Sequence, residues 1–209
     1  MNLERLASKT SSSLIFAHVR ATTQGNLSDQ NCHPFRHNSL MWMHNGGIGS
    51  WNHVKRRLAA AVSDKWFLEV QGSTDSEWAF ALFLDTLEGM GHDPSSSPGM
   101  SGFGHTVLRK AMLRTIQKIN EFTSALDVPQ TKEESISLLN FAVTDGYSVV
   151  CSRYVSSLTD EAASLFFSSG TSWKAPSEEV EKGHYRMEQR DKGADIVLVA
   201  SEPLTFERG

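Results

Sequence analysis

Three short stretches of this sequence put residues able to do chemistry at strand ends and helix starts, where rigid scaffolds present functional groups. In "FAHVRATTQG" (16–25), Arg20 closes an apolar alternation and is followed by the hydroxyls of Thr22 and Thr23. A guanidinium fork with neighbouring hydroxyls can grip one carboxylate; the same arginine can also pair with an acid on the surface. In "MWMHNGGIGSW" (41–51), Asn45 offers a side-chain amide and Gly46 lets a backbone N–H approach a reacting atom closely. Two neutral donors converging on one point make an oxyanion hole. Asn-Gly is equally the commonest hairpin signal, so an ordinary turn is the competing reading. In "QGSTDSE" (71–77), Asp75 stands where a helix cap belongs. Its carboxylate could instead receive an ammonium group, and with Arg20 it would then clamp the α-carbon end of an amino acid.

No nucleophile accompanies this clamp. Cys32 lies in the loop "QNCHP" and Cys151 in the strand pattern "SVVCSR", and both read as small, buried, unreactive thiols. His33 and His37 flank Pro34 and cannot share a helix face, so no metal site is expected there. A Gly-rich phosphate loop, a G-x-S-x-G elbow and a CxxC pair are all absent from the sequence.

The elements that must position these residues follow from periodicity. Residues 1–8 read as the end of a helix and 12–20 as a strand, with 25–37 a turn-rich surface loop. Residues 39–45 form a second strand that stops at Gly46-Gly47. Residues 51–62 are helical, with Val54, Leu58 and Ala61 on one stripe. A helix over 73–87 is signalled by Thr74 and Asp75 at the cap, Glu77 three residues after Thr74, and the apolar face Ala79, Leu82, Phe83 and Leu87. The Gly/Ser/Pro-rich stretch 88–104, with an insertion at about 89–103, reads as a flexible excursion. A long helix from Thr106 to Leu126 buries Leu108, Met112, Ile116, Ile119 and Phe122. "SLLNFAVTDG" and "YSVVCSRYV" make a hairpin, and 164–170 and 195–204 complete a second group of strands. The order strands, helices, strands predicts a layered α+β fold, with 1–209 as one domain.

The totals agree with such a fold. A chain of 209 residues with 39% hydrophobic and 21% charged residues can bury a substantial core. A net charge of −4 with dispersed basic residues gives no footprint for nucleic acid. No apolar run is long enough to span a bilayer, and "MNLERLASKTSSSLIF" lacks the apolar stretch of a signal peptide. Two cysteines are too few for a disulfide framework, so a cytoplasmic location is expected.

The run "FAHVRATTQG…NCHPF…LMWMHNGGI…QGSTDSE" resembles the glutaminase domain of class II glutamine amidotransferases, which are N-terminal-nucleophile (Ntn) hydrolases. "LLNFAVTDG", "DEAASLFFSSGT" and "VLVASEPLTFERG" are similar to its stand-alone branch of fungal glutathione-degrading enzymes. The resemblance implies an αββα sandwich of two antiparallel sheets. It assigns Arg20 to the α-carboxylate of a γ-glutamyl substrate, with Thr23 in support, and Asp75 to the amino group. It assigns Asn45 and Gly46 to the oxyanion hole. The substrate it implies is glutamine, glutathione or another γ-glutamyl amide, with a peptidase-like partner subunit and with neither cofactor nor metal. The family's nucleophile is an N-terminal cysteine whose own α-amine is the base. Here the second residue is Asn2, and nothing before Arg20 can serve. The expectation is therefore a domain truncated at its N-terminus and inactive as given. Two alternatives stand beside it: a non-catalytic γ-glutamyl-binding or regulatory subunit, and an ammonia-supplying glutaminase subunit of a biosynthetic amidotransferase.

Overall fold

A computed structural model describes residues 2–19, 28–96, 99, 101–126, 131–174, 186–188 and 195–203. Its centre is a four-stranded antiparallel sheet in the order β1 (Phe35–His37), β2 (Leu40–Gly47), β3 (Leu138–Thr144), β4 (Val149–Cys151). Along β2, Leu40, Trp42 and His44 are buried while Met41 and Met43 are half-buried, the period of two that puts alternate side chains on one face. That face carries the core. Trp42 is packed by Phe141 at 4.4 Å, Phe83 at 5.1 Å and Phe80 at 5.9 Å between ring centroids.

Four helices cover the sheet: α2 (Trp51–Ala61), α3 (Asp64–Glu69), α4 (Asp75–Gly89) and α5 (His105–Ser124). α4 is buried on nearly every side, from Ser76 to Leu84 without a break. Such a helix belongs inside a domain, and it packs against β2 as well as against α2, α3 and α5. α5 shows the opposite pattern, a single buried stripe of Leu108, Ala111, Met112, Thr115, Ile116 and Ile119, with Phe122, expected in it, only half-buried near the helix end. On α2, Val54 and Leu58 are buried as expected, but Ala61 is exposed at the frayed end of the stripe.

The second group of strands pairs separately. β5 (Phe166–Gly170) lies antiparallel to β8 (Ile196–Ala200), and β6 (Ser172–Lys174) to β7 (Arg186–Glu188). It is tied to the central sheet by Asn140 on β3, whose amide donates to the carbonyls of Ala163 and Ser164, both at 3.1 Å. Helices together with wholly antiparallel sheets make the fold α+β.

Four expectations change. Residues 10–19 form no strand: Ile15 and Val19 are exposed, and alternation makes a strand only where a sheet edge takes it up. The loop expected over 25–37 contains a one-turn helix at Asp29–Asn31 and the edge strand β1. α3 appears where no helix was expected, since six residues are too few to show a period. β2 runs through Gly46-Gly47 rather than stopping there. The stretch 88–104 is fastened at two points. Asn38 donates to the carbonyls of Ser95 and Ser96, and the N–H groups of Phe103 and Gly104 donate to Asp145. The remaining elements are a short helix α1 (Asn2–Ala7) and α6 (Lys132–Ser135), the latter closed by a capping box between Thr131 and Glu134.

Candidate active site

Asn45 and Gly46 are not a hairpin turn. Both lie in the β2–β3 ladder, Asn45 opposite Asn140 and Gly46 opposite Leu139. Gly46 has φ +135°, a conformation open to glycine, and a Cβ there would stand 2.0 Å from the carbonyl oxygen of Leu138. Gly49 is held small for a second reason: a Cβ would meet the Ser135 carbonyl oxygen at 2.3 Å. The backbone of 134–138 thus presses directly on the end of β2. It is fastened there by Gly49 N–H to Ser137 Oγ at 2.9 Å and Ser50 N–H to the Glu134 carbonyl at 2.6 Å. At this braced end the Asn45 side chain is exposed and makes no hydrogen bond among the described residues. A free amide donor on a rigid strand is what stabilising a developing oxyanion requires.

Asp75 comes to the same place from α4. The cap of that helix is Thr74, whose hydroxyl accepts from Glu77 N–H at 3.3 Å, so Asp75 is the first helical residue and not the cap. The Glu77 carboxylate does not close a capping box. It turns back to accept from Gln71 N–H at 2.8 Å and Gly72 N–H at 2.7 Å, while Asn31 Oδ1 accepts from Ser73 N–H at 3.0 Å. With its approach loop fixed in this way, half-buried Asp75 reaches the end of β2. Its Oδ2 accepts from Ile48 N–H at 2.8 Å, and its Oδ1 accepts from Ser76 N–H at 2.9 Å. The Ser76 hydroxyl adds a longer contact to Oδ1 at 3.4 Å. A carboxylate offers about four acceptor positions, so these bonds orient it and leave capacity for an ammonium group.

Between the two parts sits His44, 3% exposed. Its Nε2 is 3.0 Å from the Leu138 carbonyl oxygen and its Nδ1 is 3.0 Å from Ser76 Oγ. Burial lowers its pKa below the ordinary 6.5, against the pull of the Asp75 charge and the Leu138 hydrogen bond and with a further push from His18. The ring is therefore neutral at physiological pH.

Of the residues expected to act, the structure brings Asp75 to the strand end that carries Asn45 and Gly46. Arg20 and Thr23 lie outside the described residues. The cysteines are less buried than expected: Cys32, in a surface loop, is exposed and its Sγ donates to the Ser28 carbonyl, while half-buried Cys151 is on β4, opposite Ala142, its thiol pKa pushed up by burial. Sequence reasoning missed Ser76, Ser137 and Leu138. Of these only Ser76 carried a signal, as a hydroxyl next to the candidate carboxylate. Among the described residues, no helix is long and apolar enough to cross a membrane.

Comparison with known proteins bears on this geometry. Residues 4–126, more than half of the chain, match the family model of class-II glutamine amidotransferases. The probable glutamine amidotransferase DUG3 of Saccharomyces cerevisiae is 55% identical over 208 residues, which cover 100% of this chain and 56% of the yeast protein. The chain thus spans little more than half the length of that relative. A solved glutamine aminotransferase class-II domain protein from Silicibacter pomeroyi matches with a TM-score of 0.50 and 28% identity, over 68% of this chain and 55% of that one. The strand end bearing Asn45 and Gly46, and the helix start bearing Asp75, both fall inside the matched segment, and the chain belongs to the class II glutamine amidotransferases.

Proposed function

We propose that this domain, with a nucleophilic cysteine in place, hydrolyses the γ-glutamyl amide bond of glutathione and acts in glutathione degradation. The observation that carries the reading is Asp75. Its carboxylate is oriented by Ile48 N–H and Ser76 N–H at the very strand end that exposes Asn45 and Gly46. A carboxylate placed there suits an α-ammonium group, and Arg20 with Thr23 would take the α-carboxylate. Glutathione and glutamine share that free amino-acid end, so one clamp serves either. The cysteine thiolate would add to the γ-carbonyl carbon, with the oxyanion held by the Asn45 amide and the Gly46 N–H. The C–N bond then breaks, the amine leaves with a proton from the general base, and water releases glutamate from the thioester. The domain's two cysteines suit a reducing cytoplasm, and by resemblance it works with a peptidase-like partner subunit. An ammonia-supplying role would instead require an acceptor subunit.

One observation favours a second reading for the 209 residues by themselves. Among the described residues neither Cys32 nor Cys151 is hydrogen-bonded to Asn45, Gly46 or Asp75, which suits a domain that binds a γ-glutamyl group without cutting it.

The test is to purify the protein from its native source, read its N-terminus and intact mass, and measure glutamate release from glutathione and from glutamine. The expected result is an N-terminal cysteine and release from glutathione. In that protein Asn45→Ala should lower kcat about 100-fold, the loss typical of one oxyanion donor, with little change in KM. Asp75→Asn should chiefly raise KM. Release from glutamine only when an acceptor subunit is present would overturn the glutathione reading. Binding without release from either compound would leave the second reading in its place.

A further inference from the structure

His44 lies between Asp75 and the strand end bearing Asn45 and Gly46 but has no place in the reaction. Its ring makes two directed contacts, and both end on the machinery. Because the Leu138 carbonyl can only accept, Nε2 must carry the proton. Nδ1 of the neutral ring then has a lone pair and accepts the Ser76 hydroxyl at 3.0 Å, the shorter of the two contacts that hydroxyl makes, the other being Asp75 Oδ1 at 3.4 Å. Ser76 in turn holds Asp75, donating its backbone N–H to Oδ1 at 2.9 Å. At the other end, the Leu138 carbonyl is the atom against which Gly46 is packed too closely for any side chain. The Phe141 ring, 4.7 Å away between centroids, walls the imidazole. A flat side chain fixed at both ends and on its face has no freedom to let either end move.

We propose that His44 is a positioning residue, a neutral strut that sets the spacing between the amine-binding carboxylate of Asp75 and the oxyanion-hole backbone at Gly46. The inference rests on the reaction proposed above. A residue that only fills space would respond to lost volume. A strut responds separately at each end, because its two bonds serve different parts of the site. Loss of the Ser76 arm frees Asp75, which handles the ground-state amine. Loss of the Leu138 arm frees the strand end, which handles the transition-state charge.

Two conservative variants separate the arms. In His44→Asn the side-chain oxygen reaches the position of Nδ1 and keeps Ser76, but Leu138 is left unpartnered. In His44→Gln the amide nitrogen reaches the position of Nε2 and keeps Leu138, but Ser76 is released. In the full-length enzyme, with glutathione and glutamine as substrates, His44→Asn should lower kcat about tenfold with KM near wild type. His44→Gln should raise KM about tenfold with kcat near wild type, one neutral hydrogen bond in each case. The same split in both variants, or no change in either, would overturn the strut. An independent reading comes from 15N NMR of the wild-type 209-residue chain. The His44 ring should be the Nε2–H tautomer, and Ser76→Ala should shift Nδ1 while Nε2 stays protonated. A proton on Nδ1, or a ring indifferent to Ser76, overturns the proposal even if the kinetic variants fail to fold. If the wild-type enzyme cleaves neither compound, the proposed function falls, and the NMR result alone decides whether the strut exists.

Discussion

Gly46 and Gly47 are neighbours in one motif, yet the structure constrains them unequally. Gly46 has φ +135° and no room: its added Cβ would meet a backbone oxygen, which cannot swing away as a side chain can. Gly47 has no such backbone angle, and the nearest atom to its added Cβ is Asp75 Oδ2 at 3.6 Å, an ordinary contact. Gly46→Ala should therefore destabilise the domain by about 3 kcal/mol, combining backbone strain with overpacking. Gly47→Ala should fall within about 1 kcal/mol of wild type. Urea unfolding midpoints of the two variants measure the contrast, and equal midpoints would mean the end of β2 is not pressed against Leu138. This asymmetry was not readable in the sequence. There the two glycines only marked the end of a strand, with an oxyanion hole and an Asn45-Gly46 turn as competing readings, and neither reading separates Gly46 from Gly47.

At the scale of elements, the β3–β4 turn does more than reverse the chain. Asp145, fully buried, accepts from Tyr147 N–H at 3.0 Å and Ser148 N–H at 2.8 Å on Oδ1. On Oδ2 it accepts from Phe103 N–H at 2.7 Å and Gly104 N–H at 3.1 Å, so it pins the start of α5 to the sheet. Burial by itself would raise its carboxyl pKa, but four N–H donors outweigh that and hold it below the ordinary 3.8. A carboxylate with a lowered pKa in the folded state adds stability above pH 3.8, and that stability is lost as pH falls through the lowered value. Asp145→Asn turns an NH2 toward two of the donors and should cost about 3 kcal/mol at pH 7. The gap between variant and wild type should narrow at pH 3, and a gap that does not change with pH would rule out the charge as its source. The sequence announced the flanking elements well. α4 was announced by its start signals and apolar run, α5 by a clear helical stripe, and the hairpin by its Thr-Asp-Gly turn. It did not announce contacts made across long separations. Ser76 meets His44 from 32 residues away, and Leu138 meets it from 94, where neither period nor spacing carries information. Asp75, Asn45 and Gly46 were singled out by residue type; the contacts that bring Asp75 to the end of β2 were not readable.

Across the whole molecule, stability is unevenly spread. The sheet β1–β4 rests on α4, and its buried set includes Trp42, Trp66, Phe83 and Phe141, each worth about 1.5–3 kcal/mol or more when removed from water. Among the described residues the ladder β5–β8 has two strands, and it leaves Phe167 81% and Val197 67% exposed. Two strands without a covered face are marginal in water, because backbone pairing alone does not offset the entropy of ordering them. The two sheets should then open independently, as separate units of low and high local stability. Hydrogen–deuterium exchange on the 209-residue chain measures this directly. Amides of β2 and β3 should open only with global unfolding, while those of β5 and β8 should exchange at least about 100-fold faster, a difference near 3 kcal/mol. If both sheets exchange together, the ladder shares the cooperativity of the core despite its exposure. In that event Asn140, which joins β3 to the residues just before β5, is the link to remove next: Asn140→Ala should then uncouple their exchange.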